Sequence, residues 1–498
     1  MKLKITAIWL PLLIATSASL FAQASTVNWI TVLFHDTLGR APSQYEIERI
    51  ENQLSTGTTR TDIGLQVAQS VEFDASTTNA AFQKFLGRAP GALELHNSVF
   101  LYLQQGAMET TLFATLLGTD EYFSTRGKNN NSTWIDAVYS DVLNRAPSSQ
   151  EREAFLDFLK QGSTRTSVAN VIVTSDEARS DVVTGLYQTY LRRPPTNAEV
   201  NSALNQLRNG ALYDQIVAQI LGTDEYFNLA QTIAPTLPAP LPPSQNLNLS
   251  TRLQVGTGND IAIAGFIITG TDAKQIIVRG IGPSLPVVGA LADPVIELRN
   301  AGGTIGTNDN WKDSQEAAIV ATGIPPSNPL ESALVGTLPA NNAAYTVLLS
   351  GKNGGTGVGL LEAYDLDHGS NSRLANISTR ALVGAGDNRM IGGVIVGPSG
   401  STGPSTLLIR ALGPSLTAMG IADALPDPVL SLYDANGTEI DYNDNWKSND
   451  QAAIEATTIP PTNDLEAAIV HTVVPGNYTA VVSGQTTGVA QVEIYNLP

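Results

Sequence analysis

The chain has no cysteine, only four histidines and four methionines in 498 residues, and 28 basic residues against 46 acidic ones. No disulfide can staple it, and metal–thiolate chemistry and cysteine nucleophiles are excluded. The histidines, His35, His96, His368 and His471, fall in no metal-ligand spacing. A formal charge of −18 repels nucleic acid and anionic lipid and attracts cations. Past the N-terminus no apolar run is long enough to span a bilayer. Gly-x-Ser-x-Gly, phosphate-loop and dinucleotide fingerprints are missing as well.

What the N-terminus does have is Lys2 and Lys4, an apolar run over 5–21, and Ala22-Gln23-Ala24 before Ser25. This is the pattern of a secretory signal with a small-residue cleavage site, an uncleaved anchor being the alternative. Residues 1–24 are read as the signal peptide, and the protein is expected to be secreted, extracellular or associated with the cell envelope.

From 25 to 233 one unit repeats four times. Its markers are Leu38-Gly39-Arg40-Ala41-Pro42, Leu86-Gly87-Arg88-Ala89-Pro90, Leu143-Asn144-Arg145-Ala146-Pro147 and Leu191-Arg192-Arg193-Pro194-Pro195. Gly39, Gly87 and Asn144 suit the left-handed residue past a helix end, and proline then forbids continuation. Ser43 with Glu46, Ser148 with Glu151 and Thr196 with Glu199 are spaced as capping boxes that open the next helix, with Gly91 and Glu94 a weaker version. The spacing predicts a third helix that runs into Ser70-Val71-Glu72-Phe73, Thr119-Asp120-Glu121-Tyr122, Ser175-Asp176-Glu177 and Thr223-Asp224-Glu225-Tyr226. The third repeat has Ala178 in place of the closing aromatic. The acid pairs Asp120-Glu121 and Asp224-Glu225 recur, so helix capping explains them better than catalysis, which needs one constellation. The marker arginines sit where a guanidinium bonds helix-end carbonyls and pairs with a nearby acid.

With its Leu-Gly-Arg, its mid-unit glycine and its closing Ser-x-Glu-Phe/Tyr, this pattern resembles the bacterial domain of unknown function 4214 family, and distantly the phycobilisome linker domain. The resemblance implies secreted multidomain proteins with scaffolding or surface roles and no known catalytic residue.

A proline-rich linker, 234–245, follows. Beyond it the texture changes to short β-branched runs punctuated by Gly, Asn, Asp and Pro. Asn308-Asp309-Asn310-Trp311-Lys312 recurs as Asn443-Asp444-Asn445-Trp446-Lys447, and Gly-Pro-Ser-Leu at Gly282 recurs at Gly413. These mark a duplication into modules 246–371 and 372–498, each with about five strands and one short helix after the tryptophan. Asn436-Gly437 signals a hairpin. With the closing Glu-x-Tyr-x-Leu at Glu362 and Glu493, the paired motifs are similar to a tandem β-module of large secreted bacterial surface proteins. They are also loosely similar to the C-terminal domains that follow secreted peptidases.

The expected fold is therefore multidomain: an N-terminal all-α helical repeat array, then a pair of all-β sandwich-like modules. Asp441, Asn443, Asn445 and Asp450 alternate hard oxygen ligands, which points to calcium, although the EF-hand pattern fails at Trp446 and Ala452. Asx turns that aim the tryptophan into the core are the alternative. Trp311 and Trp446 are ligand-contact candidates as glycan platforms, with core packing as the other reading. Ser284 and Ser415, which follow proline after a strand, read as turn residues rather than nucleophiles. The functional expectation is a non-catalytic scaffold or surface-interaction protein whose partners are other envelope proteins or extracellular polysaccharide. The alternative is a calcium-dependent or glycan-binding adhesin acting through the β-modules.

Overall fold

The computed structural model describes residues 10–105, 109–340, 342–384 and 389–497. The main division falls between Ala239 and Pro240 and separates a helical unit from a β unit. Of the segment read as a signal peptide, residues 1–9 lie outside the described residues. Among the described residues no helix is long and apolar enough to cross a membrane.

The helical unit contains α1 (Leu10–Leu38), α2 (Gln44–Ser55), α3 (Arg60–Ala68), α4 (Val71–Leu86), α5 (Ala92–His96), α6 (Glu109–Gly118) and α7 (Asp120–Thr125). It continues with α8 (Asn131–Leu143), α9 (Ser149–Lys160), α10 (Arg165–Val173), α11 (Asp176–Leu191), α12 (Asn197–Arg208), α13 (Tyr213–Leu221) and α14 (Asp224–Ile233). Helix ends obey the local chemistry. Gly39, Gly87 and Asn144 take left-handed conformations at φ 70°, 70° and 51°, and Ser148–Glu151 and Thr196–Glu199 close reciprocal capping boxes.

One boundary differs from expectation. The third helix of each repeat stops at Ala68, Gly118, Val173 or Leu221, and the motif after it opens a new helix instead of ending the old one. Ser70, Thr119, Ser175 and Thr223 adopt extended backbone and accept from the third N–H of α4, α7, α11 and α14. A hydroxyl satisfying that orphan donor favours a fresh helix start.

The four repeats do not stack in file; they form two halves that exchange partners. Trp29 and Trp134 stand 105 residues apart, and each donates its indole N–H to a helix-end carbonyl of the opposite half, Leu221 for Trp29 and Leu117 for Trp134. The first and fourth repeats share a core around Trp29, Ile63, Ile220 and Tyr226. The second and third share another around Leu117, Tyr122, Trp134 and Ile172. Glycine permits the close crossings: a Cβ at Gly118 would lie 2.1 Å from Thr166 Oγ1, and one at Gly222 would lie 2.1 Å from Thr61 Oγ1. The reciprocal arrangement extends to Tyr122, whose hydroxyl donates to Asp141, and Tyr226, whose hydroxyl donates to Asp36.

In the β unit the first copy supplies β1 (Gln245–Val255), β2 (Ala262–Gly270), β3 (Lys274–Ile281), β4 (Pro294–Asn300), β5 (Gly303–Asn308), β6 (Ser332–Leu338), β7 (Ala343–Gly351) and β8 (Gly357–Asp365). The second supplies β9 (Ser372–Val383), β10 (Met390–Gly397), β11 (Ser405–Leu412), β12 (Val429–Tyr433), β13 (Glu439–Asn443), β14 (Ala467–Val473), β15 (Gly476–Ser483) and β16 (Gly488–Leu497). Short helices α15 (Glu316–Ala321) and α16 (Gln451–Ala456) follow the tryptophans. Alternating burial along the strands, for example Ala262, Ala264, Phe266 and Ile268 on β2, directs one face into a common core. Gly437, at φ 77°, turns the β12–β13 hairpin where Asn436-Gly437 predicts one.

The two copies are intertwined. Each copy's first strand pairs with the last strand of its own copy and with the second strand of the other: β1 with β8 and β10, β9 with β16 and β2. The result is a large, mainly antiparallel, sandwich-like assembly in which β1 and β9 meet as a parallel pair. Equivalent hydroxyls, Thr251 and Thr379, bond to each other across that pair at 2.9 Å.

Candidate functional site

In the β unit the recurrent motif is built around a buried glutamate that the sequence does not advertise. Glu331 follows α15 and is fully buried; its Oε1 accepts from the Gly282 and Ser284 N–H groups and the Ser284 hydroxyl, and its Oε2 accepts from Asn328 N–H. Glu466 repeats this with Gly413, Ser415 and Asn463. The Gly-Pro-Ser-Leu serines are thus anchors for a carboxylate. The tryptophans complete the loop: Trp311 donates its indole N–H to Asn328 O and Trp446 to Asn463 O, both at 3.1 Å. At 6% and 5% exposure their rings are covered and offer no stacking face to a glycan.

The residues singled out for calcium are largely committed elsewhere. Asn443 accepts Ala468 N–H and donates to Asn445 O and Ser448, as Asn308 does with Ala333, Asn310 and Ser314. Asp441 is bonded to His471 at 2.8 Å and to its neighbour's N–H. Asp450 occupies the N-cap position of α16 in a left-handed conformation, and its backbone carbonyl accepts from Ala453 and Ile454. Asn445 gives its carbonyl to Asn443 and Ser448. Among the described residues no three His, Asp or Glu side chains are grouped to hold a metal ion. The Asx-turn reading therefore describes these loops better. The closing Glu-x-Tyr motif is also structural. Arg279 bonds Glu362 and Ile324 O beneath the Tyr364 ring, and Arg410 does the same with Glu493, Ile459 O and Tyr495.

The copies differ most informatively in charge. In the first, Lys352 bridges Asp309 at 2.6 Å and Asp293 at 3.7 Å, and those partners, Asp309 first, raise its pKa. In the second, Gln485 follows Gly484 where Lys352 follows Gly351. There burial, then the charge of Asp427, raises the pKa of Asp444. Gln485→Lys should supply the missing ammonium and raise the melting temperature of the intact protein by about 1–3 °C, an exposed pair being weak. The gain should shrink in molar salt; an unchanged or lowered melting temperature would contradict it.

In the helical unit the four marker arginines make one clamp four times. Each guanidinium bonds the glutamate that opens the next helix pair: Arg40 to Glu72, Arg88 to Glu121, Arg145 to Glu177 and Arg193 to Glu225. Arg88, Arg145 and Arg193 also hold their capping-box glutamates, Glu94, Glu151 and Glu199. Each arginine lies over an aromatic ring, Phe34, Phe82, Tyr139 or Tyr187. The carbonyl each one bonds is the next residue's, for instance Ala41, and not one at the helix end. Asp120 and Asp224 pair across the halves with Arg165 and Arg60. The Arg40 side chain is 11% exposed, the least of the four. Arg40→Ala should cost about 2–3 kcal/mol, charged hydrogen bonds under cover being the strong ones. It should lower the melting temperature more than Arg145→Ala; equal shifts would contradict the burial argument.

Where the halves meet, three carboxyls are gathered, Asp74, Glu109 and Asp214. Asp74 on α4 is buried and accepts from Gln104 at 2.7 Å; burial first, and the charge of Glu109, push its pKa up to about 7. Burial raises Glu109 too. Asp214 on α13 is pushed up to about 9 by burial and then by Glu109, with which it shares a side-chain hydrogen bond. Arg179, 105 residues on from Asp74, lines the same small cavity as Glu109 and Tyr213. This cluster is not legible in the sequence, because its members lie on three helices drawn from the second and fourth repeats.

Residues 114–182, from α6 into α11, match the family described as a domain of unknown function, DUF4214. No curated protein matches the chain. Among solved structures, a DUF4785 family protein from Legionella pneumophila is 8% identical over 51% of this chain and 84% of that one, with a TM-score of 0.14. The GH115 4-O-methyl-alpha-glucuronidase BtGH115A is 12% identical over 65% of this chain and 44% of its own, with a TM-score of 0.14. The insecticidal delta-endotoxin Cry8Ea1 from Bacillus thuringiensis is 10% identical over 96% and 99%, with a TM-score of 0.12. Likenesses this low carry no argument.

Proposed function

We propose that this chain is a secreted, non-catalytic scaffold or surface-interaction protein of the bacterial envelope or extracellular matrix. One observation carries the reading. In both units the recurrent polar residues that resemble chemical machinery are spent on the same intramolecular bonds in every copy: the arginine clamps, the buried Glu331 and Glu466, and the Arg–Glu–Tyr sets. Residues so committed build a frame, and a frame of repeats suits the presentation of binding surface.

Export is supported by the internal copy. Asn130, the N-cap of α8, stands 105 residues after Ser25, so the part of α1 that aligns with α8 starts where the Ala-x-Ala motif ends. From Ser25 onward the chain is tied in, Ser25 O accepting from Gln231 and Asn28 donating to Gln231. N-terminal sequencing of the protein recovered from the medium or envelope tests this. A mature terminus at Ser25 is expected, and an intact chain retained in the cytosol would contradict it.

A further inference from the structure

We infer that the helical unit carries a pocket for a small aromatic carboxylic acid, placed where the third repeat lacks the aromatic side chain of the other three. The equivalent positions are Phe73, Tyr122, Ala178 and Tyr226. Tyr122 and Tyr226 are fully buried, and Phe73 packs against the first core. At Ala178 only a methyl group stands there, and beside it opens a cavity of about 260 Å³. An apolar cavity of about 150 Å³ suffices to hold a benzene ring.

The lining specifies the ligand's two ends. Phe85 and Phe113 meet edge to face at 5.7 Å and 65°, and with Val182 and Ala178 they form an apolar wall suited to a ring. Lys84 stands exposed on the same lining, its Nζ 5.3 Å from the Phe85 ring, with no acidic partner among the described residues. Its counterpart 105 residues on is Thr189, so the cation belongs to this copy alone. Tyr213 also lines the cavity, and its buried hydroxyl has no hydrogen-bond partner among the described residues. Behind Tyr213 lies the carboxyl pair Glu109 and Asp214. Arg179 stands with that pair and offsets its charge, so the exposed Lys84 at the rim is what draws a ligand carboxylate, which leaves the ring inside.

Calorimetric titration of the full-length protein with 3-phenylpropionate at pH 7 tests this, with 3-phenylpropanol as its uncharged counterpart. Saturable one-site binding is expected, with the alcohol weaker by about three- to fivefold, as for one exposed ion pair. Lys84→Gln should abolish the preference for the acid, and Ala178→Phe should abolish binding while raising the melting temperature. If Ala178→Phe does not fold, Ala178→Leu carries the same expectation of lost binding. No binding by the wild type at millimolar ligand, or binding unchanged in a folded Ala178 variant, overturns the site. Octanoate binding as tightly as 3-phenylpropionate overturns the aromatic assignment.

Discussion

Lys274→Ser alone should destabilise the β unit by about 3–5 kcal/mol, the cost of leaving a buried charge without its partner. Lys274 lies on β3 and is fully buried; its ammonium donates to Asp365 at 2.8 Å and to Asp367 O at 2.7 Å, and the Asp365 side chain is equally covered. The second copy shows what replaces the pair. Ser405 and Asn496 occupy the equivalent positions and bond to each other at 2.5 Å. Adding Asp365→Asn to Lys274→Ser should therefore recover most of the loss, since removing both charges removes the unpaired carboxylate. Denaturant unfolding of the intact protein, with hydrogen exchange on β3 and β8 to identify the unit that opens, measures both variants. A single variant costing less than about 1 kcal/mol, or a double variant no better than the single, would contradict the account.

The second large effect concerns pH. Asp74→Asn should stabilise the helical unit at pH 8 by about 2–4 kcal/mol, one pKa unit corresponding to about 1.4 kcal/mol. The sign follows from linkage: Asp74 titrates near 3.8 when exposed and near 7 when folded. Below about 4 both states carry the proton and the carboxyl costs nothing. As pH rises to about 7 the unfolded chain ionises freely while the folded one resists, so stability falls, and it levels off above that. Asp214 extends the decline towards pH 9. Asparagine keeps an acceptor for Gln104 and removes the titration. Melting temperatures of wild type and variant should agree near pH 4 and diverge up to pH 7. Parallel curves, or a variant less stable at pH 8, would refute the assignment of a proton to Asp74.

The sequence makes the frame visible through local rules. Proline after a left-handed residue ends helices at Gly39, Gly87 and Asn144, hydroxyl–carboxylate spacing opens α9 and α12, and Asn436-Gly437 turns a hairpin. It does not make the exchange visible, because alternation and capping say nothing about which copy a strand or helix meets. β1 and β9 do not stand out as hydrophobic runs, since Asn246, Asn248, Thr251 and Asn376 place polar side chains on buried positions. Asn246, Thr251 and Asn376 are satisfied by the partner copy, as Asn246 is by Leu374 O, whereas Asn248 donates to Ala363 O of its own copy. Glu331 and Glu466 carry no sequence signal for a similar reason: their donors lie about fifty residues upstream, at Gly282 and Gly413. The marker spacing does carry a signal for the helical halves, since Leu38 to Leu143 and Leu86 to Leu191 are equal steps.

Recurrent residues build two duplicated frames, and the proposed role is to hold a partner. Equilibrium binding of the intact chain beginning at Ser25 to isolated cell envelopes and native extracellular polysaccharide tests this most directly. Saturable, reversible uptake that leaves the bound material chemically unchanged is the expected result. Release of cleaved products, or no saturable uptake by either material, would contradict it.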